Sequence, residues 1–371
     1  MIAPMASPEA RRDWVRLSRT PSIGPVTFFQ LVTRFGSATA ALNALPALAH
    51  SAGRKRPLVA PAESEIEREI AAAERFGAQM LLACDPEYPA LLKALSAPPP
   101  VLTALGNVQL LAKPAVAIVG ARNASAAGRK IARDMASEIS RAGYVTVSGL
   151  ARGIDGEAHA ASLSGGTVAV LGGGIDHVYP PQHDRLYAEI EANGLILSES
   201  PFGHRATAKD FPRRNRLITG CSLGVIVVEA TERSGSLISA RTAGEQSREV
   251  MAVPGSPLDP RAAGTNRLLR EGAALVRDAR DVLEILSGLA RRDLAAPPPP
   301  VFHGEDSDEP LPASQIDAVK EALTPYPMPI DEIARTAGIG AARCAAILVE
   351  LELAGEATTL PGALAVRVFE P

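Results

Sequence analysis

Residues Val116 to Asp155 read VAIVGARNASAAGRKIARDMASEISRAGYVTVSGLARGID. The stretch opens on an unbroken aliphatic run, Val116–Val119, passes through Gly120-Ala121-Arg122, and enters a helical pattern over Ala126–Arg141. A second strand, Tyr144–Val147, then empties into Ser148-Gly149-Leu150-Ala151-Arg152-Gly153-Ile154-Asp155. Neither strand alternates apolar with polar residues, so both faces of each are covered, as in parallel strands joined by crossover helices. The unit recurs downstream. Further strands are predicted at Thr167–Leu171, Leu195–Ser198, Gly224–Val228, Glu249–Val253 and Ala274–Val276. Helices are predicted between them at Gly156–Leu163, Asp184–Ala192, Ser236–Gln246 and Thr265–Arg270. Residues 108–290 are thus expected to form an extended Rossmann-like, doubly wound parallel α/β sheet.

The flanks read differently. Residues 1–107 are expected to be a helical module with helices at Arg12–Leu17, Val26–Arg34 and Glu63–Phe76, followed by a strand near Val101–Leu105. The turn Thr20-Pro21-Ser22-Ile23-Gly24-Pro25 gives this module a SAM or helix-hairpin-helix character, although few basic residues flank it. Residues 291–312, with the Pro297–Pro300 run and an acidic patch, read as a linker. Beyond it, helices at Ser314–Leu323, Ile330–Ala337 and Ala341–Leu353 and a hairpin over Ala357–Phe369 predict a winged helix in residues 313–371. Its recognition helix carries Arg343 but also Glu350 and Glu352, which favours a packing or protein-contacting role over reading a DNA groove.

A chain of 371 residues with 46% hydrophobic content has room for two or three domains, and no apolar run is long enough to span a bilayer. The N-terminal stretch has no apolar core of a secretory signal. Cys84, Cys221 and Cys344 lie far apart in sequence and suit a reducing cytoplasm. The net charge of −3 excludes a uniformly basic coat, but the charge is unevenly placed. Between Pro201 and Arg248 eight basic residues face four acidic ones, whereas Asp293–Glu309 holds five acids and no Lys or Arg.

In an open parallel sheet, ligands bind beyond the carboxyl ends of the strands. The glycine and arginine loops all fall there: Gly120 and Arg122; Ser148, Gly149, Arg152 and Gly153; Gly172 and Gly173; and Phe211-Pro212-Arg213-Arg214-Asn215-Arg216. Glycine lets backbone N–H groups approach an anion, and arginine adds charge and a planar fork. The first loop lacks the later glycines of the dinucleotide fingerprint, and no Gly-x4-Gly-Lys-Ser/Thr occurs, which excludes a P-loop ATPase. Asp155 reads as a helix cap for the first-turn amides and, with His159, as a packing pair rather than a catalytic dyad. Asp176, His177 and His183 match no metal spacing. Ser234-Gly235-Ser236 suits an anion or a plain helix cap. Three arginines within four residues beside Phe211 suit a sugar-phosphate backbone with a base laid on the ring. The pattern points to binding rather than catalysis, with no cofactor and no metal.

In this order the residues resemble the DprA/Smf family (DNA processing protein A). The resemblance is carried by Val119-Gly120-x-Arg122, Ser148-Gly149-Leu150-Ala151-x-Gly153-Ile154-Asp155-x-x-Ala158-His159, and Ala169-Val170-Leu171-Gly172-x-Gly174 followed by Tyr179-Pro180. It continues through Ser198-Glu199, Phe211-Pro212-x-Arg214-Asn215-Arg216, Val228-Glu229-Ala230, Ser234-Gly235-Ser236-Leu237, Pro254-Gly255 and Gly264-x-Asn266. It implies a cytoplasmic, homodimeric protein that binds single-stranded DNA and loads the recombinase RecA onto it in natural transformation. It also implies that Arg122 holds the DNA backbone, that Arg214 and Arg216 line the same pocket with Lys209 and Arg213, and that Phe211 meets a base. The chain departs from the family pattern at Ala121, where a hydroxyl residue is usual, and after Tyr179-Pro180, where only Arg185 supplies charge. Two other functions compete: a nucleoside monophosphate-processing enzyme of the same fold, and a winged-helix transcription regulator. The first expects Pro-Gly-Gly-x-Gly-Thr-x-x-Glu, where this chain has Pro254-Gly255-Ser256-Pro257.

Overall fold

The computed structural model describes residues 7–51, 58–290, 312–360 and 363–368. Four helices come first: α1 (Pro8–Ser18), α2 (Pro25–Phe35), α3 (Ala38–Ser51) and α4 (Glu63–Arg75). Ser7 caps α1 by accepting from Ala10 N–H, and the left-handed Gly36 ends α2. The central domain follows as β1 (Gln79–Leu82), α5 (Ala90–Lys93), β2 (Val101–Gly106), β3 (Ala115–Val119), α6 (Ala126–Arg141), β4 (Val145–Ser148) and α7 (Ile154–Ser162). It continues through β5 (Thr167–Leu171), α8 (Asp184–Asn193), β6 (Leu195–Ser198), α9 (Asp210–Gly220), β7 (Gly224–Val227) and α10 (Ser236–Glu245). It closes with β8 (Glu249–Ala252), α11 (Ala263–Arg270), β9 (Ala274–Leu275) and α12 (Ala279–Ala290). The C-terminal unit comprises α13 (Ala313–Ala322), β10 (Met328–Pro329), α14 (Ile330–Thr336), α15 (Ala341–Ala354), β11 (Ala357–Leu360) and β12 (Leu364–Arg367).

One sheet of nine strands runs in the order β1-β2-β6-β5-β4-β3-β7-β8-β9. Strands β3 to β9 are parallel, and the order reverses between β3 and β7, which makes that gap the switch point of the doubly wound fold. Alternate side chains leave opposite faces of each strand. Ala117, Val119, Val168 and Val170 join the core beneath the N-terminal helices, while Val116 and Ile118 pack with Met135, Ile139, Val282 and Leu286.

Two expectations change. The strand near Val101–Leu105, placed with the N-terminal module, is β2 of the large sheet, paired antiparallel to β6 with Thr103 opposite Ser198. It brings β1 with it, so the sheet is mixed at one edge and begins at Gln79 rather than after residue 107. The physical reason is burial: Val101–Leu105 is covered on both faces, which a strand at the border of a small helical module would not be. The proline-rich linker, except for Pro312, and the hairpin turn Pro361-Gly362 lie outside the described residues. The flanking strands β11 and β12 pair antiparallel, with β10 on the far side of β12, around a core of Val319, Ile333, Cys344, Ile347, Leu348 and Leu351.

The N-terminal helices share a core with the sheet. Trp14 is fully buried, meets Phe28 edge-on at 4.7 Å, and donates its indole N–H to Pro100 O at 2.8 Å. Because Trp14 is the chain's single tryptophan, its fluorescence reports this junction. Trp14→Ala is expected to lose about 3–5 kcal/mol in urea titrations followed by circular dichroism. In the unsubstituted protein, Trp14 emission should shift to the red across the unfolding transition that circular dichroism reports.

Candidate nucleic-acid interface

The loop after β4 is the centre of the carboxyl edge, and the N–H groups of Gly149, Leu150 and Ala151 each have a side-chain partner. Asp155 accepts from Gly149 N–H at 3.2 Å and Ala151 N–H at 3.4 Å. Leu150, buried with φ 55°, donates its N–H to His159 Nε2 at 3.3 Å and accepts from His183 Nδ1 at 3.0 Å. Since His159 Nε2 accepts, its proton sits on Nδ1 and is donated to Thr167 Oγ1 at 2.7 Å. From below, Arg214 Nη1 donates to Gly149 O at 2.6 Å and also to Val170 O. Ser148, fully buried, donates its hydroxyl to Ile118 O at 2.6 Å.

Several sequence expectations are corrected by this arrangement. Asp155 caps the loop that precedes its helix, not the first-turn amides, because Gly149 and Ala151 curl back over its carboxylate. The glycines allow close approach of the protein's own groups. A Cβ on Gly149 would lie 2.5 Å from the Arg214 guanidinium, and Gly153, at φ 79°, packs against Ala121 and Arg122 carbonyls. Gly120 abuts Ile154, and Gly173 abuts His204 and Ala206. The segment Phe211–Arg216 is the first part of helix α9, not a loop.

Helical periodicity divides its three arginines. Arg214 points inward and is only 6% exposed; burial pulls it down to about 10, with Asp155 as the opposing charge. Arg216 is held by Glu199 and donates to Ala97 O at 3.0 Å, so it builds the scaffold under the edge. Arg213 stays exposed and meets Glu199 at 3.3 Å. Asn215 donates to Gly235 O at 3.4 Å. Ser234 and Ser236 bond one another at 2.7 Å at the start of α10, and Ser236 is buried, so the two hydroxyls are engaged within the protein. Arg185 is exposed on α8 and pairs with Glu189 at 2.9 Å.

A smaller group faces outward. The ring of Phe211 lies against the backbone of Gly172, with Arg122 5.3 Å from its centroid on one side and Arg214 5.9 Å away. Tyr179, 51% exposed, meets Phe211 with ring centroids 5.3 Å apart. Arg152, Arg205, Lys209 and Arg233 are exposed and form no ion pair among the described residues. The edge therefore presents two aromatic rings and a set of free cations, which can stack bases and screen phosphates. Tyr179 was not among the expected binding residues. Its place in a recurring motif hid the signal, which is an aromatic residue in a loop of prolines and polar residues.

At the switch point lies a crevice of about 190 Å³ lined by Ser125, Gly128, Ile131, Glu229, Val253 and Thr265 among others. The Glu229 carboxylate takes the start of α6, accepting from Ser125 N–H at 2.9 Å and Ser125 Oγ at 2.5 Å. Where a dinucleotide site would seat a phosphate on free amides, this chain seats its own anion. Asp176 accepts from Gly203 N–H at 2.8 Å and braces the loop before α9.

Two outcomes are expected. Arg214→Met should lose about 3–5 kcal/mol of stability, since it leaves Asp155 buried without its cation, while Arg213→Met should stay within about 0.5 kcal/mol; urea unfolding of both variants checks this. Burial, with His183 and Arg214 adding repulsion, pushes His159 down from 6.5 to about 3. Above 6.5 the residue is neutral in both folded and unfolded chains. As pH falls below that value the unfolded chain takes up a proton that the folded chain refuses, and stability should drop by about 1.4 kcal/mol per pH unit. His159→Gln should flatten that component of the decline in unfolding free energy measured against pH.

The chain matches the family model described as DNA recombination-mediator protein A over residues 79–287. A DprA-like N-terminal HHH domain matches residues 8–72, and a DprA winged helix domain matches residues 303–363. Among curated proteins it is 43% identical to DNA processing protein DprA of Bacillus subtilis over 225 residues, covering 60% of this chain and 76% of the relative. It is 39% identical to protein Smf of Escherichia coli over 287 residues, covering 76% of each. Its fold is similar to the X-ray structure of DNA processing protein A from Streptococcus pneumoniae, with a TM-score of 0.65 at 33% identity over 76% of this chain and 98% of that one. A structure of the Helicobacter pylori protein, described by its single-stranded DNA binding mode, aligns at a TM-score of 0.53 and 30% identity over 57% of this chain and 96% of that one. The three matched segments and these relatives, taken with the loops that carry them, place the chain in the DNA recombination-mediator protein A family.

Proposed function

We propose that the carboxyl edge of the sheet binds single-stranded DNA without reading its sequence. The observation that carries this is the outward group of Tyr179, Phe211 and Arg122 among unpaired cations. Flat rings stack on any base, and free arginines and lysines follow a backbone of any sequence. Arg122, Arg152, Lys209 and Arg213 are the phosphate contacts in this reading, with Arg185 at the periphery; Gly120, Gly149, Gly153, Gly172 and Gly173 shape the backbone that carries them. The description of the Helicobacter pylori structure supports the ligand.

The edge works by binding rather than by catalysis. Asp155 and His159, the acid and base nearest the loop, are engaged with backbone amides, and Glu229 occupies the helix start where a nucleotide phosphate would sit. The family description as a recombination mediator supports the further step, in which the protein, as a homodimer in the cytoplasm, loads RecA onto the bound strand during natural transformation. Strand-exchange assays with RecA and a single-strand-binding competitor test that step; no gain in RecA filament formation would overturn it. No helix among the described residues is long and apolar enough to cross a membrane.

Single-strand affinity measured against salt is expected to fall with a log–log slope of about −0.7 per phosphate contacted. Arg122→Ala should weaken binding to all sequences alike and reduce that slope. Phe211→Ala and Tyr179→Ala should each lose about 1–3 kcal/mol of binding if a base stacks on the ring. Unchanged affinity in Arg122→Ala and Phe211→Ala together would overturn the site.

A further inference from the structure

In a helix–turn–helix the second helix enters the groove with its outer face. In this winged helix that element is α15. Its inner face, Cys344, Ile347, Leu348 and Leu351, fills the domain's own core. Its outer face carries Ala345, Val349 and Glu352 at spacings of four and three, so they form one stripe, and all three are buried. Val349 packs in the core cluster of the N-terminal helices and the sheet, not in that of its own domain. The helix lies against α2 and α3, and β11 also reaches α2.

A polar clasp closes the contact. The Glu352 carboxyl accepts from the Thr27 hydroxyl of α2, and from Thr359 of β11 through its hydroxyl at 2.5 Å and its N–H at 3.4 Å. Thr27 itself is fully buried. Arg34, about two turns further along α2, acts electrostatically on Glu350. The helix's one cation, Arg343, is turned back to Gln315 of α13 at 2.7 Å.

We propose that the outer face of α15 is a docking surface whose occupant is the α2–α3 pair of the same chain, so that the seated winged helix has no groove-reading face to offer DNA. Three independent features fit an intramolecular protein partner and fit a DNA groove poorly. The stripe is small and apolar at Ala345 and Val349, it ends in a carboxyl rather than a cation, and its polar atoms find hydroxyl and amide partners within the chain. A phosphate backbone would meet two acids here and no free arginine.

The clasp makes docking sensitive to pH. Burial raises Glu352 above the ordinary carboxyl value, against the lowering effect of Thr27 and Thr359. The other charged residues of the packed elements are Arg343 and Glu350 on its own helix and Arg34 on α2, which acts on Glu350; α3 has none between Ala38 and Leu48, and β11 none. A carboxyl whose value is higher docked than free takes up a proton on docking. Docking is strongest at low pH and weakens as pH rises through the docked value.

The test uses the full chain at low concentration, with small-angle scattering for its dimensions and hydrogen exchange for its surfaces. Val349→Arg should enlarge the radius of gyration and remove protection from α2 and α3 amides, while the amides of Ile347, Leu348 and Leu351 stay protected by their own core. Glu352→Gln should remain docked and lose the change in dimensions that the native chain shows as pH rises above the ordinary carboxyl range. Native dimensions and exchange in Val349→Arg would overturn the proposal. So would a native compact state that appears only as protein concentration rises, which would make a second copy the occupant. If Val349→Arg also loses protection within α15, Thr27→Glu decides, since it sets a carboxylate against Glu352 without touching the winged helix; unchanged dimensions there would overturn the proposal as well.

Discussion

A guanidinium buried beneath a backbone loop organises the whole carboxyl edge. Arg214 is taken out of water, and two carbonyls, Gly149 O and Val170 O, together with the nearby charge of Asp155, compensate it. Removing a charge from water costs several kcal/mol, so such a group persists only where its partners are fixed. The rest follows from that demand. Position 149 must be glycine because the guanidinium fills the space a Cβ would take. Leu150 is held in the left-handed region because His159 and His183 grip its two peptide groups. Helix α9 has one allowed rotation, and Phe211, three residues before Arg214, is carried to the same side and set above it.

Two kinds of cation result, and they have opposite uses. Arg214 and Arg216 are neutralised within the protein and supply geometry. Arg122, Arg152, Lys209 and the partly engaged Arg213 lie in water, where a weakly held charge can exchange its counterions for phosphates at little loss. Were the inner arginines free as well, the edge would carry more charge but no fixed ring, since nothing else in α9 ties it to the loop after β4. A buried cation thus positions the half-buried ring of Phe211, which is where a base lies in the proposed reading.

Most of the fold was legible because it depends on period and run length. Unbroken aliphatic runs located the parallel strands to within a residue or two, and the glycine–arginine loops fell at their carboxyl ends as expected. What was not legible depended on direction. Arg213, Arg214 and Arg216 are equivalent as letters, and only the register of α9, which has no strong apolar repeat at its start, sends one inward and one outward. The strands β1 and β2 were missed as sheet members because their antiparallel pairing, β1 to β2 and β2 to β6, is set by tertiary contact, with no local pattern to announce it. The loop glycines illustrate the same limit: absence of a Cβ marks close approach, but not whether phosphate or protein makes it.

The flanking units join this edge through charge as well. Arg19 at the end of α1 pairs with Glu69 of α4 at 2.9 Å and donates to Glu199 O at 3.3 Å, while Glu69 also accepts from Phe202 N–H at 3.4 Å. Glu199 in turn holds Arg213 and Arg216. The N-terminal module is therefore bolted to the segment that leads into α9 on one side and receives α15 on the other. Its surface toward the winged helix is hydroxylic and apolar, and its apolar contact with the sheet is flanked by these ion pairs. An apolar contact sealed by one carboxyl can open without disturbing the ionic one, because the two share no residue. That separation lets the winged helix undock, as proposed, without disturbing the edge that we propose binds DNA.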